Sequence, residues 1–227
     1  MSDTNLPDEF PSRFPIFPLP NVVLFPGTYL PLHIFEPRYR AMTEVALAGD
    51  QVIGMVLIRG DEDAMQRRAA VFAVGCAGRI VESERLPDGR FNLLLHGERR
   101  FRIRSEPESS ELFRSVEAEL LADSSFPALP ASVQRSLTRT RDELEARMLE
   151  LVRLTAPDSV EQLGERMRAL DPVLLQNAIA FGLDCPTLEK QSLLEAVDAV
   201  ALCDLLLRLL TFHIAEARLP EGAKSVN

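Results

Sequence analysis

Apolar and polar side chains alternate with a period of two in runs up to about residue 122, and beyond Pro127 and Pro130 the apolar positions recur every three to four residues. The pattern predicts a strand-rich first half and a helical second half. The strongest local signal is VFAVGCAGRIVESERL, then PDGR, then FNLLLHGERRFRIRS, two β-rich runs joined at Pro87-Asp88-Gly89, where glycine supplies the positive φ of a tight turn. In the second arm Phe91, Leu93 and Leu95 alternate with Asn92 and His96, and Phe101 and Ile103 alternate with Arg100, Arg102 and Arg104. Gly97 separates these two runs and predicts a bulge or bend. Downstream, Ser115, Glu117 and Glu119 share one face and Val116, Ala118 and Leu120 the other. That suits an antiparallel partner whose glutamates meet the arginine row in cross-strand pairs.

One helix interrupts the strands. Glu36-Pro37 places a polar residue before a proline at the first helical position, Tyr39, Met42 and Val45 follow at helical spacing, and Gly49 stands as the terminator. Residues 37–48 are the expected helix. Ahead of it, FPLPNVVLFPGTYLPLHIFEPRYR is dense in proline, which fixes φ and removes donors. This suits short, bent edge strands, with Phe25-Pro26-Gly27 the tight turn between the first two. Gly60-Asp61-Glu62-Asp63 reads as a solvated loop and lacks calcium-loop spacing.

In the second half Val133, Leu137, Leu144, Met148 and Leu151 mark a long amphipathic helix ending before Ala156-Pro157. Asp158-Ser159 is expected to cap a second helix with Val160, Leu163, Met167 and Leu170 on its face. Asp171-Pro172 starts a third carrying Leu174, Leu175, Ala178 and Phe181, and Cys185-Pro186-Thr187 opens a last helical region that supplies the spine of a bundle.

Composition narrows the functions. The chain has 227 residues, 46% of them apolar, and a mean hydropathy near zero. That is enough for a sizeable core, and no apolar run reaches membrane-spanning length. The opening MSDTNLPDEFPSR lacks a basic and apolar leader, so a soluble, cytoplasmic protein is expected. The net charge of −9 opposes binding to nucleic acid or to an anionic membrane. Cys76, Cys185 and Cys203 are odd in number and scattered, which reads as buried reduced thiols; His33, His96 and His213 form no ligand pair. No metal and no cofactor is expected.

Catalytic motifs do not emerge. A phosphate-binding GxxxxGK[ST] loop fails at both lysines: Lys190 follows Glu189, and Lys224 follows Ala223 with Arg218 where the first glycine belongs. There is no GxSxG elbow, no GxGxxG after a strand and no CxxC, and no catalytic residue is assigned.

Taken in order, FPLPNVVLFPG, LPLHIFEPRYR, IGMV, VGCAGRI, LPDGR and LLLHGERRFRI resemble the amino-terminal substrate-binding domain of the ATP-dependent Lon proteases. LDPVLLQNAIAFGL and LEKQSLLEAVDAV extend the likeness over roughly residues 14–216. The resemblance implies an α+β fold: an N-terminal PUA-like β pseudo-barrel with one short helix, then a C-terminal α-helical bundle. The expected division is a flexible tail over 1–13, the barrel domain over 14–122, the bundle over 131–219 and a second tail over 220–227. Lon proteases continue into an ATPase and a peptidase, whereas this sequence stops first, so a stand-alone, non-catalytic module is expected. Its implied partners are unfolded or tagged protein segments and a separate protease, without nucleic acid or membrane; oligomeric state is left open. Phe35, Glu36, Arg38 and Tyr39 gather aromatic and charged groups at a strand-to-helix junction and form the candidate partner-binding site. Two other readings stand beside this one: a PUA-like RNA-binding module, and a hydrolase with its site in a cleft between barrel and bundle.

Overall fold

A computed structural model describes residues 10–60, 69–122 and 125–219. Two compact units are present, one formed by the chain up to Asp123 together with Cys185–Leu194, the other by Ser124–Asp184 and the chain from Glu195 onward.

The first unit holds β1 (Arg13–Leu19), β2 (Tyr29–Ile34), β3 (Val52–Leu57), β4 (Val74–Arg85), β5 (Phe91–Ser105) and β6 (Arg114–Leu120) in one six-stranded sheet of order β2-β5-β4-β3-β1-β6, with α1 (Pro37–Ala48) between β2 and β3 in the chain. Strands β1 and β3 are parallel, and the other neighbours are antiparallel. The fifteen residues of β5 explain the pseudo-barrel. Its first half lies between β2 and β4, while Phe101–Ser105 also pair with β6, so the ladder curls back on itself and leaves β2 at an edge. Phe14, Ile16, Val52, Val56, Ala77, Phe101 and Val116 fill the interior, with the Phe14 and Phe101 rings edge to face at 5.0 Å. The phenylalanine, isoleucine and valine side chains among them contribute about 1.5–3 kcal/mol each when fully buried.

Two glycines shape the approach to β2. Thr28 N–H donates to the Phe25 carbonyl at 3.2 Å and Gly27 has φ of 77°, which makes Phe25–Thr28 a type II turn with proline and glycine at its centre. Gly97, at the bend of β5, lies against that turn: a Cβ there would sit 2.3 Å from the Phe25 carbonyl oxygen. The Pro87-Asp88-Gly89 hairpin also forms, with Leu86 N–H donating to Arg90 and Gly89 N–H to Leu86. Arg104 pairs with Glu119 at 2.6 Å in the antiparallel β5–β6 ladder, in line with the cross-strand expectation.

Helix α1 occupies the expected residues, but its inward stripe is Tyr39, Met42, Thr43 and Ala46, and Val45 faces solvent. Gly49 does not take the left-handed conformation of a glycine cap, having φ −115° and ψ −130°; Gln51 takes it instead, at φ 59°. Asp61, Glu62 and Asp63 lie outside the described residues.

The second unit contains α2 (Ala131–Thr155), α3 (Val160–Arg168), α4 (Pro172–Gly182) and, after α5 (Thr187–Leu194), α6 (Ala199–Arg218). Helix α2 buries Leu137, Leu144, Met148 and Leu151 as expected, while Val133 is only half-buried. The Cys203 thiol reaches Thr140 Oγ1 at 3.3 Å, and the Arg141 guanidinium donates to the last carbonyls of the α3 region, Met167 and Leu170. Ser159 makes no side-chain cap for α3. Asp171 does cap α4, accepting from Val173 and Leu174 N–H at 2.9 Å, although the buried face is Leu175, Gln176, Ile179 and Ala180 and leaves Leu174 exposed. The last helical region is broken. Helix α5 belongs with the sheet, where Gln191 Nε2 donates to the Val74 carbonyl and Arg100 donates to the Leu194 carbonyl. Asp198 then caps α6 through Val200 and Ala201 N–H. Cys76 and Cys203 are buried and Cys185 is half-buried.

Candidate functional site

The β2–α1 junction is built by local chemistry. Ile34 anchors the end of β2 in the core at 1% exposure, so the next residue in the alternation, Phe35, turns outward and is 61% exposed. Glu36 is extended (φ −68°, ψ 137°) and starts the helix with its backbone carbonyl, which accepts from Tyr39 and Arg40 N–H at 3.0 and 2.9 Å. Its carboxylate does not cap the helix but accepts from Arg38 Nε at 2.9 Å. The Arg38 guanidinium lies 4.4 Å from the centre of the Tyr39 ring. Tyr39 points the other way, into the core, with its ring 4.2 Å from that of Phe17. Burial pushes the Tyr39 hydroxyl above its ordinary titration range, against the opposing pull of Arg38.

The four predicted residues therefore take three positions. Phe35 is a surface aromatic, Glu36 and Arg38 are a half-exposed ion pair held over an aromatic face, and Tyr39 is the buried support beneath them. An exposed pair of this kind contributes at most about 1 kcal/mol to stability. Its geometric effect is larger, because stacking on a buried ring restricts the Arg38 side chain next to the exposed Phe35.

A wider surface continues from Phe35 along β2. Tyr29 pairs with His96, Pro31 with Leu94 and His33 with Asn92 across the ladder. The Tyr29 and His96 rings are 4.8 Å apart, and those of His33 and Phe35 are stacked at 6.3 Å. His33 holds the polar end. Arginine can only donate, so the Arg90 Nη1 contact of 3.1 Å makes His33 Nε2 the acceptor and puts the proton on Nδ1, which donates to Asn92 Oδ1 at 2.8 Å. Asn92 Nδ2 in turn donates to Glu84. Of this surface only Phe35 is among the sequence-predicted site residues, and the proline-rich stretch before it reads as bent edge strands. The available signal was the alternation in YLPLHIF, which puts Tyr29, Pro31, His33 and Phe35 on one side.

Apart from this surface, a concavity of about 330 Å³ is lined by Phe10, Arg79, Glu98, Arg99, Leu120 and Leu121. Arg79 is 5% exposed; it binds both Glu98 oxygens, at 2.9 and 3.2 Å, and the Asp50 carbonyl at 3.0 Å. Phe10 stacks on its guanidinium at 5.5 Å. Among the described residues no three His, Cys, Asp or Glu side chains gather as a metal site, and no helix is long and apolar enough to cross a membrane.

A sequence profile of the ATP-dependent protease La (LON) substrate-binding domain matches residues 13–211. The chain belongs to the Lon substrate-binding domain family. Lon protease 2 of Myxococcus xanthus is 31% identical over 214 residues, covering 89% of this chain and 24% of the relative. The Lon protease of Cytophaga hutchinsonii is 27% identical over 204 residues, again 89% and 24%. The chain thus spans about a quarter of the length of the Lon proteases it matches. Among solved structures, the N-terminal domain of the Mycobacterium avium complex Lon protease superposes with a TM-score of 0.66 at 17% identity, over 91% of this chain and all of that one. A Lon N-terminal domain protein from Xanthomonas campestris gives 0.60 at 24% identity, over 86% and 97%. Both likenesses are of fold, and they agree with the mixed sheet-then-helices architecture of this family member.

Proposed function

We propose that this chain acts in the cytoplasm as a non-catalytic recognition module that binds unfolded or tagged protein segments through the β2–α1 junction and presents them to a separate protease. The observation that carries this reading is the exposed Phe35 beside a braced Glu36–Arg38 pair, on a chain of the Lon substrate-binding domain family. An aromatic side chain exposed beside a restricted arginine has the character of an interface hot spot, and its removal from a contact costs about 2 kcal/mol, or roughly thirtyfold in affinity. Tyr39 supports the pair from below and touches no partner.

The test is binding of the full chain to reduced, alkylated lactalbumin and to the same protein in its native form, measured by fluorescence anisotropy. Preference for the unfolded form is expected, with Phe35→Ala weakening it by at least tenfold and leaving the thermal midpoint unchanged. Equal affinity for the folded and unfolded forms would overturn the reading, and an inert Phe35→Ala would move the site elsewhere.

A further inference from the structure

Strand β2 pairs only with β5 among the described residues, so one side of its backbone is unmatched. Which groups point outward follows from the bulge at its start. Gly27 N–H donates to the Gly97 carbonyl and Gly97 N–H donates to the Thr28 carbonyl, both at 2.8 Å. From there the antiparallel alternation turns residues 30, 32 and 34 toward β5 and residues 29, 31 and 33 away from it. Pro31, which has no N–H to give, stands on the outward side, where its lack costs the ladder nothing. The outward row is thus Tyr29 N–H and C=O, Pro31 C=O, and His33 N–H and C=O. The side chains of the same three residues lie on the solvent face; Tyr29 is 56% exposed, and the His33 imidazole is tied to Asn92 and Arg90 rather than folded over the edge.

We propose that β2 is a strand-addition site: an extended segment of a non-native polypeptide pairs along its free edge, with its apolar side chains covering Tyr29 and Phe35. This rests on the reading of the protein as a binder of non-native polypeptide and specifies how that binding is made. The occupant follows from the edge itself. Main-chain donors and acceptors spaced two residues apart on a strand are matched by another extended backbone and by no small ligand. Such pairing is indifferent to most of the guest's sequence. The guest must lack its own partners, which is the condition of an unfolded chain. Pro31 removes one of the three outward donors, so a guest is held by Tyr29 and His33 at the two ends of the contact and by apolar cover between them.

The experiment uses the full chain and a capped ten-residue peptide of alternating leucine and threonine with a lysine at each end. Amide hydrogen exchange, followed by NMR with and without saturating peptide, is expected to slow at Tyr29 and His33 by at least tenfold, while Leu30, Leu32 and Ile34 are already protected. Two peptide analogues, one N-methylated at the leucines and one at the threonines, block opposite backbone edges. One should bind at least tenfold more weakly than the parent and the other nearly as well. If the parent peptide binds but both analogues match it and the two amides exchange as before, strand addition is wrong while recognition of non-native polypeptide stands. If neither the peptide nor alkylated lactalbumin binds, both fall together. If the Tyr29 and His33 amides are already protected without peptide, and lose that protection on dilution, the occupant is a second copy of this chain and the proposal is overturned.

Discussion

Gly97→Ala tests the contact that seats β2. The new methyl group would meet the Phe25 carbonyl oxygen at 2.3 Å, its carbonyl carbon at 3.0 Å and Leu24 Cγ at 3.1 Å. The first of these is roughly an ångström inside van der Waals contact, and the atom cannot retreat easily. Phe25 is 1% exposed, and its carbonyl already accepts from Thr28 N–H and from Thr28 Oγ1 at 2.7 Å. Overpacking costs about 1–3 kcal/mol, and separating the strands loosens the two Gly97 backbone bonds at about 1 kcal/mol each. The expected loss is about 3 kcal/mol, a large part of the stability of an ordinary domain. The sequence holds no tryptophan, so urea unfolding is followed by circular dichroism. With a slope of about 2 kcal/mol/M, the midpoint for the sheet should fall by roughly 1.5 M. Gly182→Ala, where an added Cβ meets nothing within 4 Å, is the control and should leave stability equal or slightly higher. A shift of less than about 0.3 M for Gly97→Ala at unchanged slope would refute the close-contact argument.

Three further outcomes are expected. Because burial raises the Tyr39 hydroxyl above its ordinary 10.0, the unfolded chain ionises first and stability falls as pH climbs from about 10 through the folded-state value; Tyr39→Phe should flatten that decline in urea titrations between about pH 8 and 11.5. Arg79→Met leaves the Glu98 carboxylate and the Asp50 carbonyl without their donor and should cost about 3 kcal/mol, with Glu98→Met added on top restoring part of it, as a double-mutant cycle in urea would show. Asp198→Ala removes the acceptor for two N–H groups at the start of α6 and should cost about 1 kcal/mol, seen as faster amide exchange at Val200 and Ala201.

The elements that were legible in the sequence are those defined by local chemistry. Pro37 after Glu36 set the start of α1, Pro87-Asp88-Gly89 set the hairpin, and Asp171-Pro172 set the start of α4. What stayed hidden depends on distant partners. Val45 and Ala46 are both apolar and adjacent, and only the packing surface beneath α1 decides that Ala46 is the one to be covered. The face of α4 is displaced by one residue for the same reason: Gln176 and Asn177 are buried, which polar composition argues against. Asp198 was readable as a helix start, but the apolar runs on both sides of it masked the break. At the site, Phe35 and Tyr39 are both aromatic and only four positions apart; Phe17, eighteen residues upstream of Phe35, is what draws one inside and leaves the other out.

The grouping of Cys185–Leu194 with the sheet has a consequence for dissection of the molecule. The chain passes from one compact unit to the other three times, near residues 123, 184 and 194, so no single backbone cleavage separates them. A fragment ending at the first crossing would lose α5, and with it the Gln191 donor to Val74 and the Leu194 acceptor for Arg100. Such a fragment should be rescued by adding a synthetic peptide of residues 185–194, which makes the molecule a natural subject for fragment complementation.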